Sequence, residues 1–200
     1  MFNWEVLHRV NSALLGVFIA AHLGVHLLAV HSPEAHALGL AWMRRYYSDW
    51  RIEAVLIASL LIQIVSGWAE LRLTVKPGWR LVRNLSGLYL AVFMLTHVGS
   101  VFHARHVDQV PTDFYWVAGA FTVDILRNYA MAFYGLGVFS LFAHMIAVAA
   151  LAWPGMPWRL NLALWAVSAS VTAAILLAFS GTLYALAIPE TVRAYYEAYW

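Results

Sequence analysis

Residues 7–28 read LHRVNSALLGVFIAAHLGVHLL, an apolar run long enough to cross a bilayer that nevertheless carries His22 and His26 inside it. A hydrocarbon core about 30 Å thick takes about 20 apolar residues in helical form. It tolerates only helices and closed barrels, because every backbone polar group must be bonded within the protein. The run therefore predicts a spanning helix. The same pattern returns 75 positions later, where LVRNLSGLYLAVFMLTHVGSVFH overlays it without a gap. Ser86 then falls on Asn11, Val92 on Val17, Phe93 on Phe18, His97 on His22 and Gly99 on Gly24.

An ionisable side chain at the centre of a bilayer is costly, about 2.5 to 3.5 kcal/mol for Asp, Lys or Arg, so it has a partner or a role. Asn11 to His22 and Ser86 to His97 are both eleven-residue separations. Eleven residues turn a helix by about three full turns and advance it about 16 Å, so each histidine shares a face with its polar partner at a matched depth. Two imidazoles from like-directed helices can hold one iron from opposite sides, and neutral imidazole is a common axial haem ligand. Gly24 and Gly99 would let a flat macrocycle approach the backbone. The structural alternative is a buried histidine hydrogen-bonded to a neighbouring helix. His26, one turn beyond His22, could compete as ligand or bond a haem propionate. Its counterpart at position 101 is valine, which favours His22.

Hydrophobic residues make up 63% of the 200 positions and charged ones 11%, the composition of a polytopic membrane protein. Five spans are expected, at about 10–30, 52–73, 85–105, 128–151 and 160–187, forming an all-α five-helix bundle in one domain over residues 1–200. Cysteine is absent. That excludes disulfides, thiolate ligands and protein-held iron–sulfur clusters, so a redox cofactor would hang on histidine. With no clear small-residue cleavage site, the first helix is expected to be retained rather than removed as a signal. No nucleic-acid partner is expected.

Trp4, His8 and Arg9 sit at the boundary of the first span, with Asn11 and Ser12 just inside it. They read either as a polar pocket for a quinone carbonyl or as a helix start with a snorkelling arginine. Ser32-Pro33-Glu34 predicts a capped helix on the membrane surface. His31, His36, His103 and His106 fall near that side, as a metal site or as ordinary surface histidines. In the second span Gln63 lies near the middle and would seek an interhelical hydrogen bond. Glu70 would pair with Arg72 or Arg83. His144, in the fourth span, lies at another level from His22 and His97, and implies a second site or a structural hydrogen bond. The fifth span carries no ionisable residue over 161–189 and reads as a packing helix, followed by an interfacial tail of Tyr195, Tyr196, Tyr199 and Trp200. Arg72, Lys76, Arg80 and Arg83 crowd one short connection, with Arg9 and Arg159 on the same face. Acids dominate the other connections: Glu34, Asp49, Glu53, Asp108, Asp113, Asp124, Glu190 and Glu197. By the positive-inside rule the N-terminus is expected in the cytoplasm and the C-terminus outside.

Five spans, the entry LHRVNSALLGVFIAAH, the later RNLSGLYLAVFMLTH and the approach MRRYYSDWRIEAVL together resemble the single-polypeptide, five-helix cytochrome b membrane anchor of succinate dehydrogenase and fumarate reductase. The likeness extends over most of the chain. It implies a multi-pass protein of the inner (cytoplasmic) membrane that binds haem b and quinone, and carries electrons to or from a flavoprotein and an iron–sulfur subunit docked on the cytoplasmic face. It implies His22 and His97 as ligands of an outer haem, His144 as half of an inner pair, and His8, Arg9 and Ser12 as quinone-proximal residues. Glu53 is a possible proton-handling acid, or a solvated interfacial charge. Where the family's second span has its histidine, Gln63 stands here, four residues before Gly67, so one haem is expected and the inner one is absent, five-coordinate or ligated differently, with His8 a remote candidate. Such a subunit is non-catalytic or quinone-reactive. A membrane cytochrome b of another dehydrogenase or hydrogenase, and a haem-free transporter or assembly protein, are the alternatives.

Overall fold

In the computed structural model, which describes residues 3–71 and 78–199 apart from the side chain of Ile125, the chain falls into two compact units, Met1–Thr74 and Val75–Trp200. The first unit holds α1 (Trp4–Leu28), α2 (Pro33–Tyr47) and α3 (Trp50–Glu70). The second holds α4 (Trp79–His106), α5 (Phe114–Thr122), α6 (Asp124–Ala152), α7 (Trp158–Phe179) and α8 (Glu190–Tyr199). Helices α1, α3, α4, α6 and α7 are long and apolar enough to span a membrane. The shortest has 21 residues. At about 1.5 Å per residue that is about 31 Å, which matches the hydrocarbon thickness. Only 11% to 33% of each apolar window is buried within the protein, so most of that surface faces outward, as lipid-facing helices do.

Polar caps set the helix starts. Asn3 Oδ1 accepts from Val6 N at 3.1 Å, Ser32 Oγ from Ala35 N at 3.1 Å with Pro33 in the first turn, and Asp49 Oδ1 from Arg51 N at 2.8 Å. Asp113 Oδ1 accepts from Tyr115 N and Trp116 N, at 3.0 and 3.1 Å, and opens α5. Each cap satisfies donors that a helix start leaves unpaired. The fifth spanning helix ends at Phe179, well short of the expected 187. Ser180 caps it and Gly181 follows at φ +73°, the left-handed position that stops a helix and that glycine occupies without strain. Hydropathy alone carried the expected span past this stop.

In the first unit α1 packs antiparallel to α3, His8 meeting Ser66 and Asn11 meeting Ser59, while α2 packs against both. Val25, Leu40 and Met43 close the α1–α2 contact, flanked by Phe18 and Tyr47. The expected helix in the first connection is thus present, with its start where Ser32 and Pro33 put it, and it buries His36, Leu40 and Met43.

In the second unit α6 packs against α4, α5 and α7. Helix α5 inserts Phe114 and Phe121 onto Phe179, with ring centroids 5.0 and 6.4 Å apart. The expected tyrosine tail is a helix, α8, that docks on α5 through Val192 and Tyr196. Gly119 makes room for it, since a methyl group there would lie 2.7 Å from both Tyr196 Cε2 and Val192 Cγ1. The Tyr196 hydroxyl donates to the Trp116 carbonyl at 2.7 Å. Trp200 lies outside the described residues, as do Arg72 and Lys76 of the basic connection.

Candidate histidine sites

The 75-residue repeat is carried by side-chain geometry within each unit. Phe18 stacks on His22 with centroids 5.9 Å apart and planes at 12°; Phe93 stacks on His97 at 5.5 Å and 5°. Asn11 and Ser86, at matched positions, are both buried, and so are Ala29 and Ala104. One helix face is therefore used in the same register twice. A methyl group built on Gly24 or Gly99 would meet no atom within 4 Å, which leaves space beside each histidine-bearing backbone.

The surroundings of the two histidines differ. His22 Nε2 lies 3.1 Å from His26 Nε2, and His26 Nδ1 lies 3.4 Å from Nε2 of the fully buried His36, so three imidazoles form a chain. His97 instead meets the edge of Tyr134, at 5.8 Å and 88°, and Tyr134 packs on Phe93, Phe121 and Phe133. His36 was singled out in the sequence as one of four histidines near one side, without its link to His26, and Tyr134 was not singled out at all. Tyr134 lies in a stretch of α6 that is apolar on every side, so it carries no periodic signal.

His8 turns into the α1–α3 contact. Its Nδ1 lies 3.0 Å from Ser66 Oγ and its Nε2 lies 3.0 Å from Gln63 Nε2. Gln63 Oε1 accepts from Asn11 Nδ2 at 2.7 Å, and Asn11 Nδ2 also donates to the Ser59 carbonyl at 2.8 Å. The interhelical hydrogen bond expected of Gln63 is present, twice over. Gly67 gives the imidazole its seat, a methyl group there falling 3.1 Å from His8 Cε1. In the second unit the roles are exchanged between helices. Ser86 and Gly87 lie on α4 and the histidine, His144, comes from α6. Its Nδ1 donates to the Arg83 carbonyl at 3.0 Å and lies 3.4 Å from Ser86 Oγ, and a methyl group on Gly87 would fall 3.0 Å from its Cε1. Both serines return their own proton to the preceding turn, Ser66 to Ile62 O and Ser86 to Val82 O, each at 2.6 Å.

The three quinone-proximal candidates separate. Arg9 and Ser12 are exposed, Arg9 pairing with Glu5 at 2.6 Å and Ser12 Oγ donating to the Arg9 carbonyl at 2.8 Å, while His8 faces α3. Glu53 is half-buried in the first turn of α3. His36 and His103 serve separate contacts, His103 Nδ1 lying 3.0 Å from Asp108 Oδ2. Among the described residues no three His, Asp or Glu side chains converge as a metal-binding group.

At the far end of α4, Asp108 accepts from Tyr195 and Tyr199 hydroxyls at 2.9 and 2.8 Å. Burial opposes its ionisation, but the bonds from Tyr199, Tyr195 and His103 outweigh that and hold the carboxyl below its ordinary range. Burial first, and the Asp108 bond second, push the Tyr195 hydroxyl up to about 12.

Haem ligation can be tested against this chemistry. His22 and His97 offer imidazoles, each stacked on the phenylalanine four residues before it, with open space at the glycine two residues on. For His144, donation from Nδ1 to a carbonyl leaves the lone pair on Nε2, the tautomer a metal ligand needs. For His22, ligation through Nε2 and the contact with His26 are mutually exclusive, so His22 would exchange one partner for the other. As neutral imidazoles, these residues fit a haem in donor type.

The fold and these contacts define a multi-pass helical membrane protein with histidines lodged inside its helix pairs. No family model, curated protein or solved structure matches the chain.

Proposed function

We propose that this chain is a haem b-binding membrane anchor of a succinate:quinone or quinol:fumarate oxidoreductase, in which His22 and His97 are the residues that would hold a haem. The observation that carries the reading is the repeated phenylalanine–histidine stack, with a glycine bordering open space two residues on, at the same register of α1 and α4. A bound haem would supply a one-electron couple within the membrane. The chain's own part is to offer neutral imidazoles, to fix their planes by stacking, and to keep water away with Phe18, Phe93 and Tyr134. Gln63 is held by Asn11 and His8, and a carboxamide is a weak iron ligand beside imidazole, so a second haem opposite His144 is not part of this reading. Quinone contact falls to the exposed Arg9 and Ser12, with His8 behind them. The flavoprotein and iron–sulfur partners would dock on a cytoplasmic face that includes the N-terminus, Arg80 and Arg159.

The histidine chain His22–His26–His36 favours one other reading, a haem-free membrane protein that passes protons along imidazoles. Spectra separate the two. Changing His22 or His97 to Ala should abolish the low-spin b-type absorbance of the purified protein. Unchanged spectra in both variants would end the haem assignment, and a colourless wild type would favour the proton-carrying reading.

A further inference from the structure

The contact between α1 and α3 is a chain of hydrogen bonds whose direction is fixed from one end. The Ser59 carbonyl can only accept, so the Asn11 atom 2.8 Å from it is the amide nitrogen. That nitrogen's second hydrogen requires an oxygen, so Gln63 must turn Oε1 toward Asn11, 2.7 Å away. Gln63 Nε2 then faces His8 Nε2 at 3.0 Å as a donor, and His8 must accept there. The imidazole proton therefore resides on Nδ1 and is donated to Ser66 Oγ at 3.0 Å, whose own proton goes to Ile62 O. Each member is satisfied only while His8 is neutral and in this tautomer.

We propose that His8 Nε2 is a proton-binding site gated by the Gln63 carboxamide, and that occupying it breaks the Asn11–Gln63 bond between α1 and α3. An imidazolium has a hydrogen on both nitrogens and cannot accept. Two donors, His8 Nε2–H and Gln63 Nε2–H, would then face each other at 3.0 Å. Turning the carboxamide over relieves this, because Oε1 then accepts from His8. The same turn sets Gln63 Nε2 against Asn11 Nδ2, 2.7 Å apart, where neither can accept. Asn11 is buried and tied to Ser59, so its bond to α3 through Gln63 is lost. One proton bound near the end of α1 thus alters a contact one turn further in.

Among the described residues, the charged groups that helix register places near His8 are Glu5 and Arg9 on its own helix, which pair with each other, and Glu70 on α3, one turn beyond Ser66. Helix α2 meets α1 at the opposite end, around Phe18 and Val25. The site goes beyond the haem reading and does not depend on it.

The test is solid-state NMR of the full chain in lipid bilayers, with nitrogen-15 in His, Asn and Gln side chains, titrated from about pH 9 to about pH 5 across the ordinary histidine range. Variants His8→Asn and Asn11→Ser identify the signals. The expected result is a His8 protonated at Nδ1 alone at high pH, and an Asn11 amide shift that moves in step with the appearance of doubly protonated His8. In Gln63→Glu the carboxylate can accept from His8 and Asn11 together, so the Asn11 signal should no longer follow His8. A high-pH proton on Nε2, a His8 that does not titrate, or an Asn11 signal indifferent to His8 in the wild type would each overturn the proposal. So would an Asn11 signal that still follows His8 in Gln63→Glu.

Discussion

Gln63 stands where α1 and α3 exchange their polar groups, and removing its carboxamide strands two partners at once. Interhelical hydrogen bonds in membranes average only about 0.6 kcal/mol, because unfolded helices also find partners in the bilayer. Leaving a buried polar group unpaired costs about 1 to 3 kcal/mol. The second effect decides here: Gln63→Leu should destabilise the protein by about 1–3 kcal/mol in reversible SDS unfolding, and Asn11→Leu should cost less in that background than alone, since only its bond to Ser59 remains to be lost. Gly137→Ala tests the other histidine. A methyl group on this buried glycine runs into the Phe93 ring, and overpacking of this kind costs about 1–3 kcal/mol. Since Phe93 stacks on His97, the same change should perturb the aromatic contacts of His97, read as altered near-ultraviolet dichroism. Of these residues, Asn11 with His22 and Ser86 with His97 were legible in sequence because helical spacing puts each pair on one face, and Gln63 because it is an amide near the middle of an apolar span. Ser59 and Tyr134 were not, and Ser66 and His36 were visible only without their partners, because their roles come from a neighbouring helix that the chain alone does not place.

Helix α8 is held by its tyrosines. The Tyr196 hydroxyl reaches a carbonyl of α5, while Tyr195 and Tyr199 converge on Asp108 just beyond α4. The sign of the pH dependence follows from the two shifts. Asp108 is held below its unfolded value, about 3.9, so its contribution is present above that value and is lost as pH falls through the folded one. Tyr195 is raised from 10.0 to about 12, so its contribution is present below 10 and lost as pH rises toward 12. Hydrogen exchange over Glu190–Tyr199 should therefore stay protected from about pH 4 to about pH 10 and accelerate outside that window, while Asp108→Ala should expose the helix at neutral pH. Protection in Asp108→Ala equal to the wild type would contradict the anchoring role. The spanning helices were readable from hydropathy because lipid imposes length and apolarity together. The end of α7 was not, since Gly181 stops the helix by backbone conformation inside a stretch that remains apolar. The tail was read as interfacial from its tyrosines, but its docking depends on Gly119, whose missing side chain sends no signal of its own.

At the scale of the chain, each unit begins with a spanning helix, passes through a short helix and returns antiparallel, and the first helix of each carries the same polar, aromatic and histidine positions. That pattern is what the 75-residue overlay detected. The exchange of histidine between α1 in one unit and α6 in the other escaped it, because a sequence overlay compares like positions and not facing ones. Orientation is open to direct measurement, since the chain has no cysteine of its own. Single cysteines at Arg159 and Glu190 should react with impermeant reagents from the cytoplasmic and the outer side respectively, and the reverse pattern would invert the proposed topology. The haem reading is tested most directly by a pyridine haemochrome assay with haem-to-protein stoichiometry on the purified wild-type chain. One haem b per chain is the predicted result; a protein purified from haem-replete cells with no haem would contradict it.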